Sequence, residues 1–476
     1  MFGLMEITVQ LDEATKLAII PTVVLPFTIL GMILTSLATW IAAFFGVELK
    51  AEGPKKLFEV LVKPKVLLWA LLSNALVFGV IKGGQYLSNG SYPLWWVKFQ
   101  NRHVQASGQD YTGKDESIVE TAKKVSALEM VWENRLHSAV FGTPVFGGAS
   151  LFLGTNAGRL LELDLKTGKT LRQFEIGQPV MTSPVIWDNK IFVGEGVHLT
   201  HHARLYAFDL REGVFINAFH TEGHIERAAV VASHAGQTRL LVPAGKDGLY
   251  AVDARSFKKV WQFNAGHVDS YPRVDSERVY IGTGLDMGYE EKETKAYALD
   301  IETGKVLWEK TLPTSAWGVP SLWQDVVCFG VGDVYKNTHY GQLSCYEKTT
   351  GKDYFTFNTS GALISQSVVR GDHLLIADLH GQIYQFNLKE KKLEWILPVP
   401  TKGMNYASVV VDADNHVILP GAEGLYVYSR GDQKLLFTWR PEEGWKGAFT
   451  NVVLQKDLWI LADRQGVVRA LKPRRD

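Results

Sequence analysis

The stretch Lys295 to Trp308, KAYALDIETGKVLW, constrains the fold more than any other part of the chain, because the chain repeats it. Tyr297 to Asp300 alternates in character, the period of a half-buried strand. Thr303-Gly304-Lys305 supplies a tight turn, since glycine tolerates positive φ. Val306-Leu307-Trp308 then opens a second strand antiparallel to the first. With Asp300 as marker, the equivalent positions are Asp164, Asp209, Asp253, Glu347, Asn387, Ser429 and Lys472. Their period of about 44 residues is that of four-stranded units in a propeller or solenoid.

A recurring aromatic follows the marker as Trp261, Trp308, Phe355, Trp395 and Phe437, and packing between neighbouring units is its reading. Each repeat also carries an upstream hairpin, such as Leu151–Gly154 turning through Asn156-Ala157-Gly158. Short strands at this spacing predict an all-β closed ring. The last repeat ends at Lys472 to Asp476 without a fourth strand, while Leu128 to Glu133 matches Gly304 to Glu309 without its preceding strands. The N-terminal strand therefore completes the C-terminal blade, removing both open edges. Eight markers predict an all-β, eight-bladed β-propeller of four-stranded antiparallel blades over residues 127–476.

Before the repeats, Leu17 to Val47 carries no charged residue, longer than the roughly 20 apolar residues that cross a bilayer. A second apolar run, Val66 to Ile81, lies between Lys65 and Lys82. Together they predict an α-helical transmembrane hairpin within residues 1–82, with helices over 18–47 and 64–82. A cleaved signal peptide is the competing reading, weakened by Glu6, Asp12 and Glu13 in the leader. Lys50, Lys55, Lys56, Lys63 and Lys65 place the connecting loop in the cytoplasm, with both termini on the other side. Residues 83–126 read as a juxtamembrane linker, with Tyr92-Pro93-Leu94-Trp95-Trp96 as an interfacial anchor and a short helix over Asp115 to Ala127.

The chain has 50 basic and 50 acidic residues, so it lacks the basic field of a nucleic-acid binder. Its two cysteines exclude a multi-cysteine metal site. Superposing the repeats puts Cys328 at Phe152 and Cys345 at Glu162, facing each other across neighbouring strands. In an oxidising compartment they are a candidate disulfide; two buried thiols are the alternative.

The pattern A-x-D-x-x-T-G-K-x-x-W, met as Ala298 to Trp308, resembles the repeat of pyrroloquinoline-quinone (PQQ)-like propellers. The resemblance covers Ala127 to Pro473 and implies one of two branches. One contains quinoprotein dehydrogenases, which require a calcium site, a carboxylate base and groups gripping the quinone. The other contains non-catalytic BamB-like propellers, scaffold subunits of outer-membrane β-barrel assembly. The repeats here are lean, and neither an adjacent-cysteine pair nor a heme-attachment motif is present. Asp269, Arg273, Asp286 and Asp378 are placeable near a channel mouth, but scattered acids read as turns. No catalytic residue, cofactor or metal site is expected.

Three second-to-third-strand loops are long: Glu195 to His202, Leu285 to Thr294 and Asp333 to Tyr340. They should emerge on one face, where function concentrates. The candidate partner-binding residues are His198, His201, His202, Tyr289, Glu290, Glu291, Tyr335, Lys336 and Tyr340. The histidines of HLTHH have metal-like spacing, yet no local carboxylate completes a set, so they read as an exposed polar loop. The sequence thus predicts a scaffold or adaptor in a bacterial cell-envelope complex, held in the inner membrane by two helices with its propeller in the periplasm. The alternatives are a membrane-tethered quinoprotein dehydrogenase and a binding module for an envelope polymer or small ligand.

Overall fold

In the computed structural model, the chain divides into two compact units, Met1–Lys82 and Gly83–Asp476. The structure describes residues 94–107, 109, 125–197, 202–264, 266–285, 293–335, 337–400, 403–455 and 457–475, all in the second unit. The predicted transmembrane hairpin lies outside the described residues. No helix among the described residues is long and apolar enough to cross a membrane.

The described residues form eight four-stranded antiparallel sheets. Seven are consecutive in sequence and are called blades 1 to 7: 145–175, 185–220, 230–263, 273–311, 321–359, 368–398 and 410–439. Blade 8 joins Val453–Gln455, Leu458–Ala462 and Val467–Arg475 to the N-terminal strand Val125–Arg135. In that closure Leu128 faces Pro473 and Trp132 faces Ala470. Buried Arg469 reaches Glu133 at 2.9 Å and Asp463 at 2.7 Å, tying the two chain ends together. The closing strand starts at Val125, so Val125 to Ala127, expected to end a short helix, are strand instead; pairing with Arg475 and Arg474 fixes them extended.

The markers sit at or near the end of the third strand in blades 1 to 7, where they cap the following turn. Asp300 Oδ1 accepts the Thr303 N–H at 2.8 Å and its hydroxyl at 2.6 Å. Asp164 does the same with Thr167, and Asp253 with Ser256. These hydrogen bonds, led by those from the hydroxyls, hold all three carboxyls below their ordinary value. Gly304 adopts φ +70°, and a Cβ there would lie 2.6 Å from the Trp261 indole of the preceding blade. The same indole donates Nε1–H to Ile301 O at 3.1 Å. Trp132 and Trp308 repeat the contact, to Leu165 O at 3.0 Å and Lys348 O at 2.8 Å. Turn and tryptophan are therefore one joint between blades.

Period-two alternation along the second and third strands does not leave one face wet. Lys295–Asp300 is buried through Ala296, Tyr297, Ala298 and Leu299, and Val326–Gly332 is buried throughout. Each blade is packed on both faces by neighbours, so both side-chain rows enter apolar clusters such as Leu241, Ala251 and Trp261 of blade 3 with Ile281 and Leu299 of blade 4. The outermost strands keep large exposed apolar side chains, as at Val306 and Leu307. Cys328 and Cys345 are directly opposed in blade 5 and disulfide-bonded.

The segment before the ring packs on its outer side. Helix α1 (Leu94–Gln100) and the 3-10 turn Asn101–His103 bury Val97 with Phe174 of blade 1 and Phe208 of blade 2. Asn101 accepts the Glu175 N–H at 2.8 Å and donates to Glu175 O at 2.9 Å. Further on, Ser107 N–H donates to Arg211 O at 2.7 Å, and Arg172, paired with buried Glu162, donates to Gln105 O at 3.1 Å. Part of the expected linker is thus a strap across the outer strands of blades 1 and 2.

Candidate functional site

The second-to-third-strand turns and the links between blades share one end of the ring, because they hydrogen-bond each other. Val180 N–H donates to Thr155 O at 3.0 Å, Gly196 N–H to Pro179 O at 2.8 Å, and Gly284 N–H to His267 O at 2.9 Å. Hydroxyls in the links complete the pattern. Thr182, Ser270, Ser365 and Thr450 donate to the carbonyls of Gly194, Gly282, Ala377 and Ala462 at 2.7 to 3.2 Å. The hairpin reading passes over these hydroxyls; their signal is a Ser or Thr three residues before Val185, Arg273, Val368 and Val453, in blades 2, 4, 6 and 8.

On the axis, the eight links surround a cavity of about 220 Å³, lined among others by Phe141, Arg227, Tyr271, Trp317, Tyr406 and Phe449. Neighbouring links are stitched around it: Thr143 N–H to Ser183 Oγ at 2.8 Å, Ser408 N–H to Asn451 Oδ1 at 2.7 Å, and Asn451 N–H to Thr143 Oγ1 at 3.1 Å. The ring is therefore shaped before any ligand arrives. Its rim is aromatic. Phe449 packs on Phe141 and Tyr406 at 5.1 and 5.0 Å between centroids, with the Arg464 guanidinium 4.5 Å above it. Tyr335, Met404 and Tyr406 are large exposed side chains on this end.

Beside the cavity, two links bring three titratable groups together. His224 Nε2 lies 3.0 Å from Asp269 Oδ1, and His267 Nε2 lies 2.8 Å from Asp269 Oδ2, all three residues being buried. Burial pushes the Asp269 carboxyl up, but the hydrogen bonds and charge of the two imidazoles outweigh it and hold the group ionised, well below its ordinary value. The pairing fixes Nε2–H on both rings. The sequence reading names Asp269 and misses both histidines. Their signal is the Gly-His pair, Gly223-His224 and Gly266-His267, standing at the same place in successive links.

The loop residues fall as follows. His202 is exposed in the long loop of blade 2, with its N–H on Glu222 O. Tyr335 and Tyr340 share the long loop of blade 5, Tyr335 exposed and Tyr340 half-buried with its oxygen accepting from Gln342. His198, His201, Tyr289, Glu290, Glu291 and Lys336 lie outside the described residues, as does Asp286. Of the scattered acids, Asp378 accepts from the N–H groups of His380 and Gln382 and from the Tyr384 hydroxyl, which makes it a turn residue. Arg273 is exposed on the first strand of blade 4.

Fold, repeat chemistry and link geometry define the class: an eight-bladed propeller of PQQ-type repeats. More narrowly, the chain belongs to the family described as outer membrane protein assembly factor BamB, whose model matches residues 94–231, 221–315 and 292–435. A BamB from Nitrosomonas eutropha is 22% identical over 285 residues, 57% of this chain and 65% of the relative. A tetrathionate hydrolase from Acidithiobacillus ferrooxidans is 22% identical over 377 residues, 71% of this chain and 66% of the relative. The chain thus spans just under two-thirds of the length of these curated relatives. Among solved structures, BamB from Moraxella catarrhalis superposes with a TM-score of 0.56 at 16% identity, covering 73% of this chain and all of that one. The computationally designed Ika8 protein gives 0.58 at 12% identity, covering 72% and 99%. These superpositions establish the fold.

Proposed function

We propose that this chain is a non-catalytic scaffold of the cell envelope, which presents the link-bearing end of its propeller to partner proteins. The observation that carries the reading is the contrast between the two layers of that end. Its surface offers exposed aromatic and apolar groups, Tyr335, Met404 and Tyr406, above a rigidly stitched ring, the composition that protein interfaces favour. Beneath it, Asp378 is committed to turn hydrogen bonds from His380, Gln382 and Tyr384. Membership of the BamB family supports an envelope location. The two apolar runs at Leu17 to Val47 and Val66 to Ile81 fit an inner-membrane anchor with the propeller in the periplasm.

The test is affinity purification from membranes in mild detergent. Wild type and a variant with residues 285–294 and 333–340 replaced by short glycine turns are compared, with folding checked by circular dichroism. A stoichiometric companion recovered with wild type and lost from the folded variant is the expected result. Equal recovery in both rejects this face as the interface.

A catalytic role is the second reading, favoured by the similarity to tetrathionate hydrolase over 71% of the chain. Turnover of tetrathionate by the purified chain, abolished by Asp269→Asn, would replace the scaffold reading. No turnover above buffer rejects that activity.

A further inference from the structure

We infer that His224, His267 and Asp269 bind one divalent transition-metal ion of the zinc class, a site independent of the scaffold reading. The three residues come from two successive links, blade 2 to 3 and blade 3 to 4, and each offers one ligand atom within 4.8 Å of the others. Two imidazole nitrogens and one carboxylate oxygen form a donor set used by Zn²⁺, with a fourth position left for water. His224 Nε2 lies 3.0 Å from Asp269 Oδ1 and His267 Nε2 2.8 Å from Asp269 Oδ2, so the two rings already converge on one carboxylate, and a shift of the side chains would close them on one ion.

The surroundings hold the ligands in place. Gly245, at φ +50°, lies under the His224 ring, where a Cβ would come within 2.7 Å of it. Its neighbour strand segment is tied to the second link by paired hydrogen bonds between Gly245 and Val268. The His267 ring packs edge-on to Trp317 at 5.8 Å. Arg227 donates Nε–H to the Asp269 carbonyl at 2.8 Å, which fixes the backbone that carries the carboxylate. All three ligands are buried, and binding would require the imidazoles neutral and the carboxyl ionised, so affinity should fall as pH falls.

A second cluster of similar composition is formed by Asp412, Asp414 and His416. There His416 Nε2 accepts the Val125 N–H at 3.4 Å, and Asp414 is paired with Arg475 at 3.0 Å. Those donors serve ring closure. In the first cluster, both Nε2 atoms point at one carboxylate.

The test uses the full chain in mild detergent, stripped with a chelator and dialysed against Zn²⁺, then read by elemental analysis and titration calorimetry. Four proteins are compared: wild type, Asp269→Asn, the double variant His224→Gln with His267→Gln, and a loop control, His201→Ala with His202→Ala. About one equivalent of Zn²⁺ should stay with wild type and the loop control, and at least a tenfold weaker affinity is expected in the other two. Co²⁺ in place of Zn²⁺ should give wild type a visible absorption band that Asp269→Asn lacks. If Asp269→Asn fails to fold, the glutamine pair, which keeps polar atoms in place, decides. Stoichiometric Zn²⁺ in both site variants, loss confined to the loop control, or no retained ion in wild type each overturns the proposal.

Discussion

Replacing Asn101 by Ala should release the strap from the ring without loosening the ring itself. Asn101 is buried, and its side chain makes both hydrogen bonds to Glu175 that close the end of blade 1's outer strand, at 2.8 and 2.9 Å. A third, to Val97 O at 2.7 Å, ends helix α1. The two bonds to Glu175 are worth about 1 kcal/mol each, because the freed backbone groups can turn to water once the strap lifts. A loss of about 2 kcal/mol corresponds to about a 30-fold higher population of the opened strap. Hydrogen exchange with mass spectrometry reads this directly. Peptides covering Val104 and Ser107, whose N–H groups bond Asn101 O and Arg211 O, should exchange about 30-fold faster in Asn101→Ala. Peptides in blades 4 to 6 should be unchanged. Exchange of the strap within about threefold of wild type would show that Asn101 does not hold it, as would faster exchange around the whole ring.

Gly304→Ala forces a left-handed alanine against the Trp261 indole, and should cost about 2 kcal/mol or more in urea unfolding; Gly431→Ala, which meets nothing within 4 Å, should stay within about 0.5 kcal/mol. A Gly304→Ala loss no larger than that of the control would remove the joint between turn and tryptophan from the account. Reducing the Cys328–Cys345 bond, which closes a loop of 17 residues in sequence, should lower stability by about 3 kcal/mol in a chain-entropy model, with both thiols alkylated only after reduction; a shift under about 1 kcal/mol would contradict it. Asp164, Asp253 and Asp300 have folded values below the ordinary 3.8, so their stabilisation is complete above that pH and is lost as pH falls through the lowered values. A variant carrying Thr167→Val, Ser256→Ala and Thr303→Val should therefore be less stable at pH 7, and should approach wild type towards pH 2. A constant gap across that range would count against this origin.

The ring was legible because its joints are local and repeated. Asp300, Thr303, Gly304 and Trp308 lie within one short unit, so the strand end, turn and docking contact recur together in several copies. The partial copy at Leu128 to Glu133 likewise shows the closure, since a strand without partners at one end answers a missing strand at the other. What the repeat cannot show is how far each strand is buried. Tyr297 to Asp300 reads as half-buried by alternation, whereas packing by blades on both sides buries both rows. The strap escapes for a different reason: Asn101 and Val97 meet partners far along the chain, Glu175 and Phe208, with no local pattern to announce them. His224 and Asp269 form the same kind of long-range pair. Their histidines look ordinary until the links of neighbouring blades are superposed.

The central claim is that the link-bearing end of the propeller meets a partner protein, and site-specific photo-crosslinking in living cells tests it most directly. A photoreactive amino acid is placed at Tyr335 or Tyr406 on that end, and at Leu171 or Ile396 on exposed outer strands as controls. An adduct with the same envelope protein is expected at both Tyr335 and Tyr406, and none at the outer-strand positions. Adducts confined to Leu171 or Ile396, or none at any of the four, would contradict it.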